Sequence, residues 1–542
     1  MSVNLPILDD DDIDILQKYG IAAEIRNKEL RLCDEAIYLT DKGQKNGSFD
    51  NTAKKPLIIY SPLHEEENRR REMVKKVVII GGGIAGIYVL RNLLARRDDV
   101  AGGLDLTLIK RERSGWVSTC GLPFALRGWY EIKRTEINEP KFFLDQGVDF
   151  RTETEVTKLS PEDKTITLVT GEELKYDYLV IATGRSPSVP DAVAATELEG
   201  IYTFNNETDA ERIEAAMEGA KNAFVRGRGI IGLQAAVAFA TRGLKTTVLG
   251  GPPSLLPSSL DPDMGDMVKK WLEEQHGIRF ILERKEITAV KGEGGRVKSV
   301  VIGEGASAKE LPADVVVIAR GMKPNTKLAA DAGIETGESG GIVTDSAMHV
   351  KKKSGRSYLK DVFSLGDCTE VIDAITHRPR LSQLASTVVV QAKVVADNIL
   401  SDISAQPSLY SICEPCLSPT VAEIGGLLVG SVGVTSEMAA RVGIKTLSGE
   451  ATKLVKARYF PGAKPLTMKL LFEAYTHKLI GAQMVGESTV AERVNELELA
   501  IRAGMTAEEM RNTERCYDPS LSLLIDVTID ATEKAIGISP VY

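Results

Sequence analysis

Two glycine-rich turns constrain the fold of this chain more than any other feature of its sequence. The first, GGGIAG at 81–86, follows the all-apolar run 77–80 and precedes a helical pattern over 87–97. An apolar run of this kind is typical of a parallel strand covered on both faces. The second turn, GRGIIG at 227–232, lies between a strand-like run and a helical pattern in the same order. Two strand–turn–helix units predict two dinucleotide sites, which is a far more specific signal than one unit alone.

Each turn needs glycine at three positions for different physical reasons. The first glycine makes the tight turn, the second lets a pyrophosphate approach the backbone, and the third packs the helix closely on the strand. The helix N-terminus then receives the phosphates. The predicted cofactor-binding glycines are Gly81, Gly83 and Gly86 in the first turn and Gly227, Gly229 and Gly232 in the second.

The strand after each turn lacks the acidic residue expected to hold the adenosine ribose. The first ends in Lys110, with Glu112 two residues further on, and the second ends in Gly250. A carboxylate at the second place would favour NADH and an arginine NADPH, so the nucleotide preference is left open. Arg226 and Arg228 at the second turn are interpreted as helping to bind phosphate or, alternatively, as plain surface charge.

Cys120 follows the second strand of the first unit, in the stretch WVSTCGLPF at 116–124. Gly121 lets a flat ligand approach the backbone, and Pro123 is tolerated in the first turn of a helix. A cysteine near a helix N-terminus favours the thiolate, although the stretch alone is equally compatible with an inert buried thiol. The predicted position at the carboxyl ends of the strands favours the reactive thiol.

Two later strands end in small residues that suit a cofactor. One ends in Thr183 and Gly184, where the backbone can approach a ligand as the chain leaves its domain. The other ends in Gly366 and Asp367. A carboxylate there can accept a hydrogen bond from a sugar hydroxyl while the glycine lets the cofactor pass, but Gly-Asp is also a common turn.

Composition argues against several classes of protein. The net charge of −9 and the lack of a concentrated basic face argue against nucleic-acid binding. No apolar run approaches the roughly 18 residues of a membrane span, and the first residues do not resemble a signal peptide, so a cytoplasmic location is expected. The six cysteines are scattered rather than arranged as a disulfide framework. Cys413 and Cys416 supply only half a zinc site, so no metal site is predicted.

The order of these pieces resembles the FAD-dependent pyridine nucleotide–disulfide oxidoreductase family over roughly residues 75–540. The lone cysteine of STCGLP is similar to the branch of coenzyme A–disulfide reductases, NADH oxidases and NADH peroxidases, because Ala125 stands where other branches have the second cysteine of a CxxxxC pair. Supporting motifs are ATG at 182–184, GMKPN at 321–325, SLGDC at 364–368, YFPG at 459–462, HKLIGAQ at 477–483 and YDP at 517–519.

This resemblance implies an α/β fold with two Rossmann-like dinucleotide-binding domains, for FAD and NAD(P), followed by an α+β dimerisation domain. Residues 1–74 are predicted to be an N-terminal extension, interpreted as either a solvated arm or a docking element for a protein partner. The other predicted domain limits are 75–200 and 326–405 for the two parts of the FAD-binding domain, 201–325 for the NAD(P)-binding domain and 406–542 for the dimerisation domain.

The resemblance also implies a reaction. FAD would take a hydride from NAD(P)H, and electrons would pass to Cys120, whose oxidised form would be a sulfenic acid or a mixed disulfide. The expected acceptor is a disulfide, persulfide or sulfur species, most like coenzyme A disulfide. An NAD(P)H oxidase or peroxidase, and an electron-transfer subunit docked through residues 1–74, are the alternatives.

Family members of this branch form homodimers in which a tyrosine of one subunit reaches the active site of the other. Tyr517 matches that tyrosine and is predicted to donate its hydroxyl hydrogen to a leaving thiolate. A packed interface tyrosine is the alternative.

Overall fold

The computed structural model shows the protein as two compact units. The described residues are 3–4, 28–33, 36–41, 74–100, 102–252, 254–404 and 406–539. One unit comprises residues 1–74 and 101–103, and its described part is an antiparallel sheet of three strands: Val3–Asn4, Lys28–Cys33 and Ala36–Asp41. The acidic run at 9–12 and the charged stretch at 65–72 lie outside the described residues.

The second unit begins with a six-stranded sheet that carries the first glycine turn. All neighbouring strands are parallel except the first pair. In spatial order the strands are His349–Lys351, Tyr358–Ser364, Tyr178–Ile181, Lys75–Ile80, Leu104–Ile109 and Asp149–Arg151.

Successive side chains of the strand Lys75–Ile80 point to opposite faces of this sheet, and apolar clusters cover both faces. Val77 and Ile79 pack with the helices Ile84–Leu94 and Ala385–Ser404. Val78 and Ile80 belong to a separate apolar cluster on the other face. That face is covered by an antiparallel sheet of Val156–Ser160, Thr165–Leu168 and Glu173–Lys175.

A second parallel sheet carries the second glycine turn. Its strands in spatial order are Ile201–Thr203, Val315–Ile318, Asn222–Arg226, Lys245–Leu249 and Arg279–Ile281. The helices Ile230–Thr241 and Pro262–His276 cover one face. The other face packs against an antiparallel sheet of Ile287–Glu293, Arg296–Ile302 and Lys309–Pro312.

The last sheet is antiparallel and has five strands. In spatial order they are Thr420–Ile424, Leu427–Gly433, Leu479–Gly486, Pro465–Glu473 and Thr446–Leu454. The sequence pattern over 453–459 predicts a strand there, whereas the observed strand is Thr446–Leu454. Gly449 weakens the local strand signal, and it is there because a Cβ would lie 2.0 Å from the carbonyl oxygen of Ala531 in the helix packed above.

The remaining regular elements of the described chain are three two-stranded sheets and further helices. Two-stranded sheets pair Trp116–Val117 with Glu136–Asn138, Arg185–Pro187 with Met322–Pro324 and Val371–Ile372 with Pro379–Arg380. The remaining helices are Leu122–Leu126, Pro140–Leu144, Asp191–Ala194, Glu207–Met217, Lys327–Asp331, Ser436–Arg441, Val490–Arg502, Ala507–Asn512 and Val527–Ala535.

Across the described residues, no helix is both long and apolar enough to cross a membrane. The domain limits predicted from the sequence are not tested by this architecture and stay predictions.

Candidate functional site

A cavity of about 650 Å³ lies where the strands of the six-stranded sheet end. Five of the residues predicted to bind a cofactor line it: Gly81, Gly83, Thr183, Gly184 and Asp367. They come from three different strand ends, and the parallel arrangement brings these ends to one edge of the sheet. A cavity of this size at this edge is the place where open α/β sheets bind ligands.

The first turn has the geometry that a bound pyrophosphate requires. A Cβ on Gly81, whose φ is +115°, would lie 2.0 Å from the carbonyl oxygen of Ala182, and a Cβ on Gly86 would lie 1.9 Å from the carbonyl oxygen of Gly81. A Cβ on Gly83 would meet no atom within 4 Å. The first and third glycines are therefore needed for packing, whereas Gly83 borders open space, which fits a dinucleotide such as FAD.

Gly366 supports the cavity from behind rather than lining it. Its N–H donates a hydrogen bond of 2.9 Å to Oε1 of Gln391. A Cβ at this position would approach the Cβ of Ala85 to 2.9 Å. Gly366 thus contacts both the helix Ala385–Ser404 and Ala85, which lies in the helix after the first glycine turn. Of Gly366 and Asp367, only Asp367 lines the cavity.

Thr183 is tied to the segment 321–325 by reciprocal hydrogen bonds. Its hydroxyl donates to the carbonyl oxygen of Asn325 at 2.6 Å, and Nδ2 of Asn325 donates to the carbonyl oxygen of Thr183 at 2.9 Å. The hydroxyl of Ser186 donates to Oδ1 of Asn325 at 2.8 Å. Sequence analysis did not identify Asn325 as a site residue, although it lies in a motif that carried the family resemblance.

Lys110 occupies the place of the missing ribose acid, and its side chain is buried. The amine donates a hydrogen bond of 2.7 Å to the carbonyl oxygen of Gly115. Burial lowers the pKa of Lys110, and the carboxylates of Glu112, Glu207 and Glu136 act in the opposite direction. Glu112 and Glu207 also line the cavity. Glu207, which the sequence did not single out because it lies in the second nucleotide unit, accepts a hydrogen bond from Ser114.

Cys120 lies on a single turn, Thr119–Gly121, that leads into the short helix Leu122–Leu126. The apolar side of this helix packs into the core of the second nucleotide unit, so the turn is held between the two nucleotide-binding sheets. Cys120 itself is exposed, and its neighbour Thr119 lines the cavity.

The electrostatic environment of Cys120 differs from the sequence-based expectation. Surrounding protein atoms desolvate the sulfur and raise the pKa of the thiol, Arg185 opposes this effect, and Asp367 adds to it. A five-residue helix offers little dipole to set against desolvation. Desolvation therefore outweighs the groups that lower the pKa of the Cys120 thiol, and the cationic group that acts on Cys120 is Arg185.

A second cavity, of about 380 Å³, lies at the second glycine turn, and Gly227 lines it. A Cβ on Gly229 would meet no atom within 4 Å, whereas a Cβ on Gly232 would lie 2.7 Å from the carbonyl oxygen of Gly227. The two turns thus share one pattern, in which the middle glycine borders open space. Arg226 is only 3% exposed, so its interpretation as surface charge is wrong.

Two segments of the chain match models of one known protein family. Residues 75–388 match the pyridine nucleotide–disulphide oxidoreductase family, and residues 424–525 match the dimerisation domain of the same family. The first match covers more than half of the chain and includes both glycine turns and Cys120. The chain belongs to this family.

Similar members of this pyridine nucleotide–disulphide oxidoreductase family include archaeal proteins. A protein of Methanocaldococcus jannaschii named NADH oxidase is 32% identical over 80% of this chain and 93% of its own length. A protein of Pyrococcus furiosus named NAD(P)H sulfur oxidoreductase (CoA-dependent) is 28% identical over 77% of this chain and 90% of its own length.

Solved structures agree with this assignment. The NAD-dependent persulfide reductase of A. fulgidus is 30% identical and has a TM-score of 0.77, covering 85% of this chain and 83% of that one. Reduced CoADR-RHD of Bacillus anthracis is 25% identical and has a TM-score of 0.77, covering 86% of this chain and 81% of that one.

These findings confirm several predictions made from the sequence. The family, the α/β fold class and the oxidoreductase activity of a flavoprotein are confirmed, as are FAD and NAD(P)H as cofactors. A family dimerisation domain is present. The roles of individual site residues, the protein partner of residues 1–74 and the cytoplasmic location stay predictions.

Tyr517 lies far along the chain from the cavities just described, in the loop before the helix Val527–Ala535. The residue is 51% exposed, and the same loop exposes Leu521 and Leu524 to 75% and 73%. The Tyr517 hydroxyl makes no hydrogen bond to any residue that the structure describes. Large exposed apolar side chains within a family dimerisation domain are typical of an interface surface.

Cys413 and Cys416 line a third cavity, of about 610 Å³. Burial raises the pKa of both thiols, and that of Cys413 reaches about 12. Over the ranges that the structure describes, no cluster of three or more His, Cys, Asp or Glu side chains could hold a metal ion.

Proposed function

We propose that this chain uses FAD to carry electrons from NAD(P)H to Cys120 and from there to a sulfur acceptor. The acceptor class is a disulfide, persulfide or polysulfide, with coenzyme A disulfide as the leading candidate. The single observation that carries the proposal is the position of Cys120. Its turn adjoins the cofactor cavity, and Arg185 and Asp367, which line that cavity, both act on its charge.

The absence of a second cysteine at the turn supports chemistry with one protein thiol. Position 125 is occupied by Ala125, a buried residue of the helix that anchors the turn. A thiol without a neighbour to close an intramolecular disulfide can form a mixed disulfide with a small thiol or become a sulfenic acid. The names of the relatives in Pyrococcus furiosus and A. fulgidus agree with a sulfur acceptor.

Bound FAD would supply the two-electron chemistry between nicotinamide and sulfur. The overall reaction balances as NAD(P)H, H⁺ and RSSR giving NAD(P)⁺ and two RSH. In the thiolate form, Cys120 attacks one sulfur of RSSR, and a protein–S–S–R bond forms as RS⁻ leaves. A further electron pair then cleaves this mixed disulfide, which restores the Cys120 thiolate and releases the second RSH once a proton is added.

The proposed working form is a homodimer. We place the Tyr517 hydroxyl of each subunit near the Cys120 turn of the other subunit, where its O–H would protonate the leaving thiolate. The support for this arrangement is the exposed Tyr517 loop inside the family dimerisation domain. A phenol is a suitable proton donor because it keeps its hydrogen at neutral pH.

Reduction of oxygen at the same site is the second candidate function. The observation in its favour is that the relative in Methanocaldococcus jannaschii, at 32% identity, is named NADH oxidase. A single thiol next to a flavin can cycle through a sulfenic acid instead of a mixed disulfide, so the two functions share one site and differ in the acceptor.

An anaerobic titration tests the proposal. The purified flavoprotein is titrated with NADH and then NADPH while flavin absorbance is recorded, and turnover is measured with coenzyme A disulfide, polysulfide and oxygen. The expected result is a long-wavelength charge-transfer band and sulfur-dependent turnover, both lost in Cys120→Ser and kept in the control Cys413→Ser. Flavin reduction without any Cys120 dependence would contradict the proposal, and turnover with oxygen alone would select the oxidase.

A further inference from the structure

The cavity at the second glycine turn is lined mainly by cations. Five basic side chains, Arg226, Arg228, Arg284, Lys285 and Arg320, surround it together with two acidic ones, Glu283 and Glu286. The cavity lies where the strands Asn222–Arg226 and Lys245–Leu249 end. In a dinucleotide-binding sheet, this is where the adenosine ribose of the nucleotide is held.

Both acidic side chains are already engaged by neighbouring cations. The Glu286 carboxylate accepts hydrogen bonds from Nη2 of Arg226 at 2.8 Å to each oxygen, and a further one from Arg320. Glu283 pairs with Lys285 at 2.7 Å. The acids that could accept hydrogen bonds from a ribose diol, as in an NADH site, are therefore neutralised.

Arg228 replaces the missing acid with a fixed positive charge. Its Nη1 donates to the carbonyl oxygens of Gly251, Pro252 and Ser254, at 2.5, 2.8 and 2.8 Å. These three bonds hold the guanidinium against the end of the strand Lys245–Leu249. Among the described residues, neither Nε nor Nη2 of Arg228 has a hydrogen-bond partner, so these two donors are available to a ligand.

Two further arginines have donors to offer. Arg284 is exposed and makes no ion pair or hydrogen bond with any described residue, although it lines the cavity. Arg226 is 3% exposed, and its buried Nε lacks a partner within the described chain. An unpartnered buried guanidinium donor is costly unless an anion or water satisfies it. The lowered pKa of Arg228, caused by burial and by the charges of Arg226 and Arg320, reflects the same concentration of positive charge.

We propose that this protein prefers NADPH to NADH, and that Arg228 and Arg284 bind the 2′-phosphate of the nucleotide. Guanidinium groups form charge-assisted, often bidentate, hydrogen bonds to phosphate oxygens. Buried Arg226 adds positive potential beneath them. The inference rests on the use of a nicotinamide nucleotide by this family and is independent of the identity of the acceptor.

Binding of 2′,5′-ADP and 5′-AMP to the resting flavoprotein tests this inference without catalysis. The two probes differ only by the 2′-phosphate, and calorimetry measures each dissociation constant. The expected result is at least tenfold tighter binding of 2′,5′-ADP, with a matching preference for NADPH over NADH in kcat/KM. Equal affinities for the two probes, or tighter binding of 5′-AMP, would overturn the inference even if sulfur reduction proceeds normally with NADH.

Substitutions of single arginines test which side chains bind the 2′-phosphate. Arg228→Gln and Arg284→Gln should each lose about 10- to 100-fold in affinity for 2′,5′-ADP, while affinity for 5′-AMP stays within about twofold. Arg296→Gln removes an exposed arginine that pairs with Glu199 outside the cavity, and it should change neither affinity. If 2′,5′-ADP binding survives in both cavity variants, the assignment of these residues is wrong.

A second variant, Gly251→Asp, tests the inference without changing Arg228, which holds the loop at 251–254 through its hydrogen bonds. A Cβ at Gly251 would lie 3.8 Å from the Arg228 guanidinium, an ordinary contact distance. Gly251→Asp therefore places a carboxylate beside Arg228 without a clash. Its expected effect is a loss of the preference for 2′,5′-ADP over 5′-AMP, and an unchanged preference would contradict the inference.

Discussion

Arg185 and Asp367 form an ion pair in the cofactor cavity, with Nε of Arg185 3.1 Å from Oδ2 of Asp367. The two residues come from segments that are distant in the sequence, and both act on the thiol of Cys120. Desolvation of the sulfur by surrounding protein atoms is the largest effect and raises the pKa of Cys120, while Arg185 lowers this pKa and Asp367 raises it.

Opposite changes in thiol reactivity should follow from neutralising the two partners. Arg185→Gln removes the group that lowers the Cys120 pKa, so less thiolate is present at pH 8 and alkylation should slow by about two- to tenfold. Asp367→Asn removes a group that raises the pKa, so alkylation should speed up by a similar factor. Iodoacetamide labelling of Cys120 in flavin-free protein, followed by mass spectrometry from pH 7 to 10, measures both. Shifts in the same direction would contradict the assignment.

Alanine at two glycines of the first turn should separate folding from cofactor binding. Gly86→Ala forces a Cβ to 1.9 Å from the carbonyl oxygen of Gly81, and we expect a loss of about 3 kcal/mol of stability. Gly83→Ala meets no protein atom within 4 Å, so stability should change by less than about 0.5 kcal/mol. Its methyl group would instead occupy space needed by the pyrophosphate. Denaturant unfolding of the flavin-free proteins and the flavin content after purification distinguish the two effects.

Mixed dimers should show whether Tyr517 acts on the partner subunit. Tyr517→Phe alone is expected to lower turnover by about 10- to 100-fold. A heterodimer of one Cys120→Ser subunit and one Tyr517→Phe subunit would contain one site with both lesions and one intact site, so it should recover about half of the activity. Differently tagged subunits allow its purification. No recovery would place Tyr517 in the active site of its own chain.

Asn325 should stabilise the wall of the cofactor cavity. Asn325→Ala removes the bonds to the Thr183 carbonyl and the Ser186 hydroxyl, and we expect a loss of about 1–3 kcal/mol together with faster release of flavin. Ser186→Ala removes only one of these bonds and should cost about 1 kcal/mol. Thermal unfolding and the rate of flavin release, each measured on both variants, test the order. Equal losses would mean that the amide contributes nothing beyond its bond to Ser186.

Local patterns were sufficient for the glycine turns and for the Cys120 stretch. A GxGxxG sequence between an apolar strand and a helix has few other uses, because each glycine answers a steric demand within a dozen residues. A Cβ at Gly81 would clash with Ala182, and a Cβ at Gly86 would clash with Gly81, whereas Gly83 borders open space. The same reasoning predicts Cys120 at the ligand edge of the sheet, and its neighbour Thr119 lines the cofactor cavity.

Contacts between segments that are distant in the sequence could not be predicted from such local patterns. Surface charge is one of two interpretations of Arg226 from the sequence, yet the side chain is buried and donates a hydrogen bond to Glu286, 60 residues away. Arg185 showed nothing special in sequence, although it is the cation that lowers the pKa of Cys120. Gly449 weakens the sequence signal for the strand Thr446–Leu454. Glycine is required there because a Cβ would clash with the backbone of a helix 82 residues later.

The amino-acid sequence alone determines the two dinucleotide units, their order and the single thiol, since these depend on short-range sterics and strand–turn–helix periodicity. Only the tertiary structure decides the charge around that thiol and the ligand preference of the second cavity. Both depend on which side chains lose water and which ion pairs form when separate segments pack together, and such desolvation cannot be inferred from neighbours in sequence.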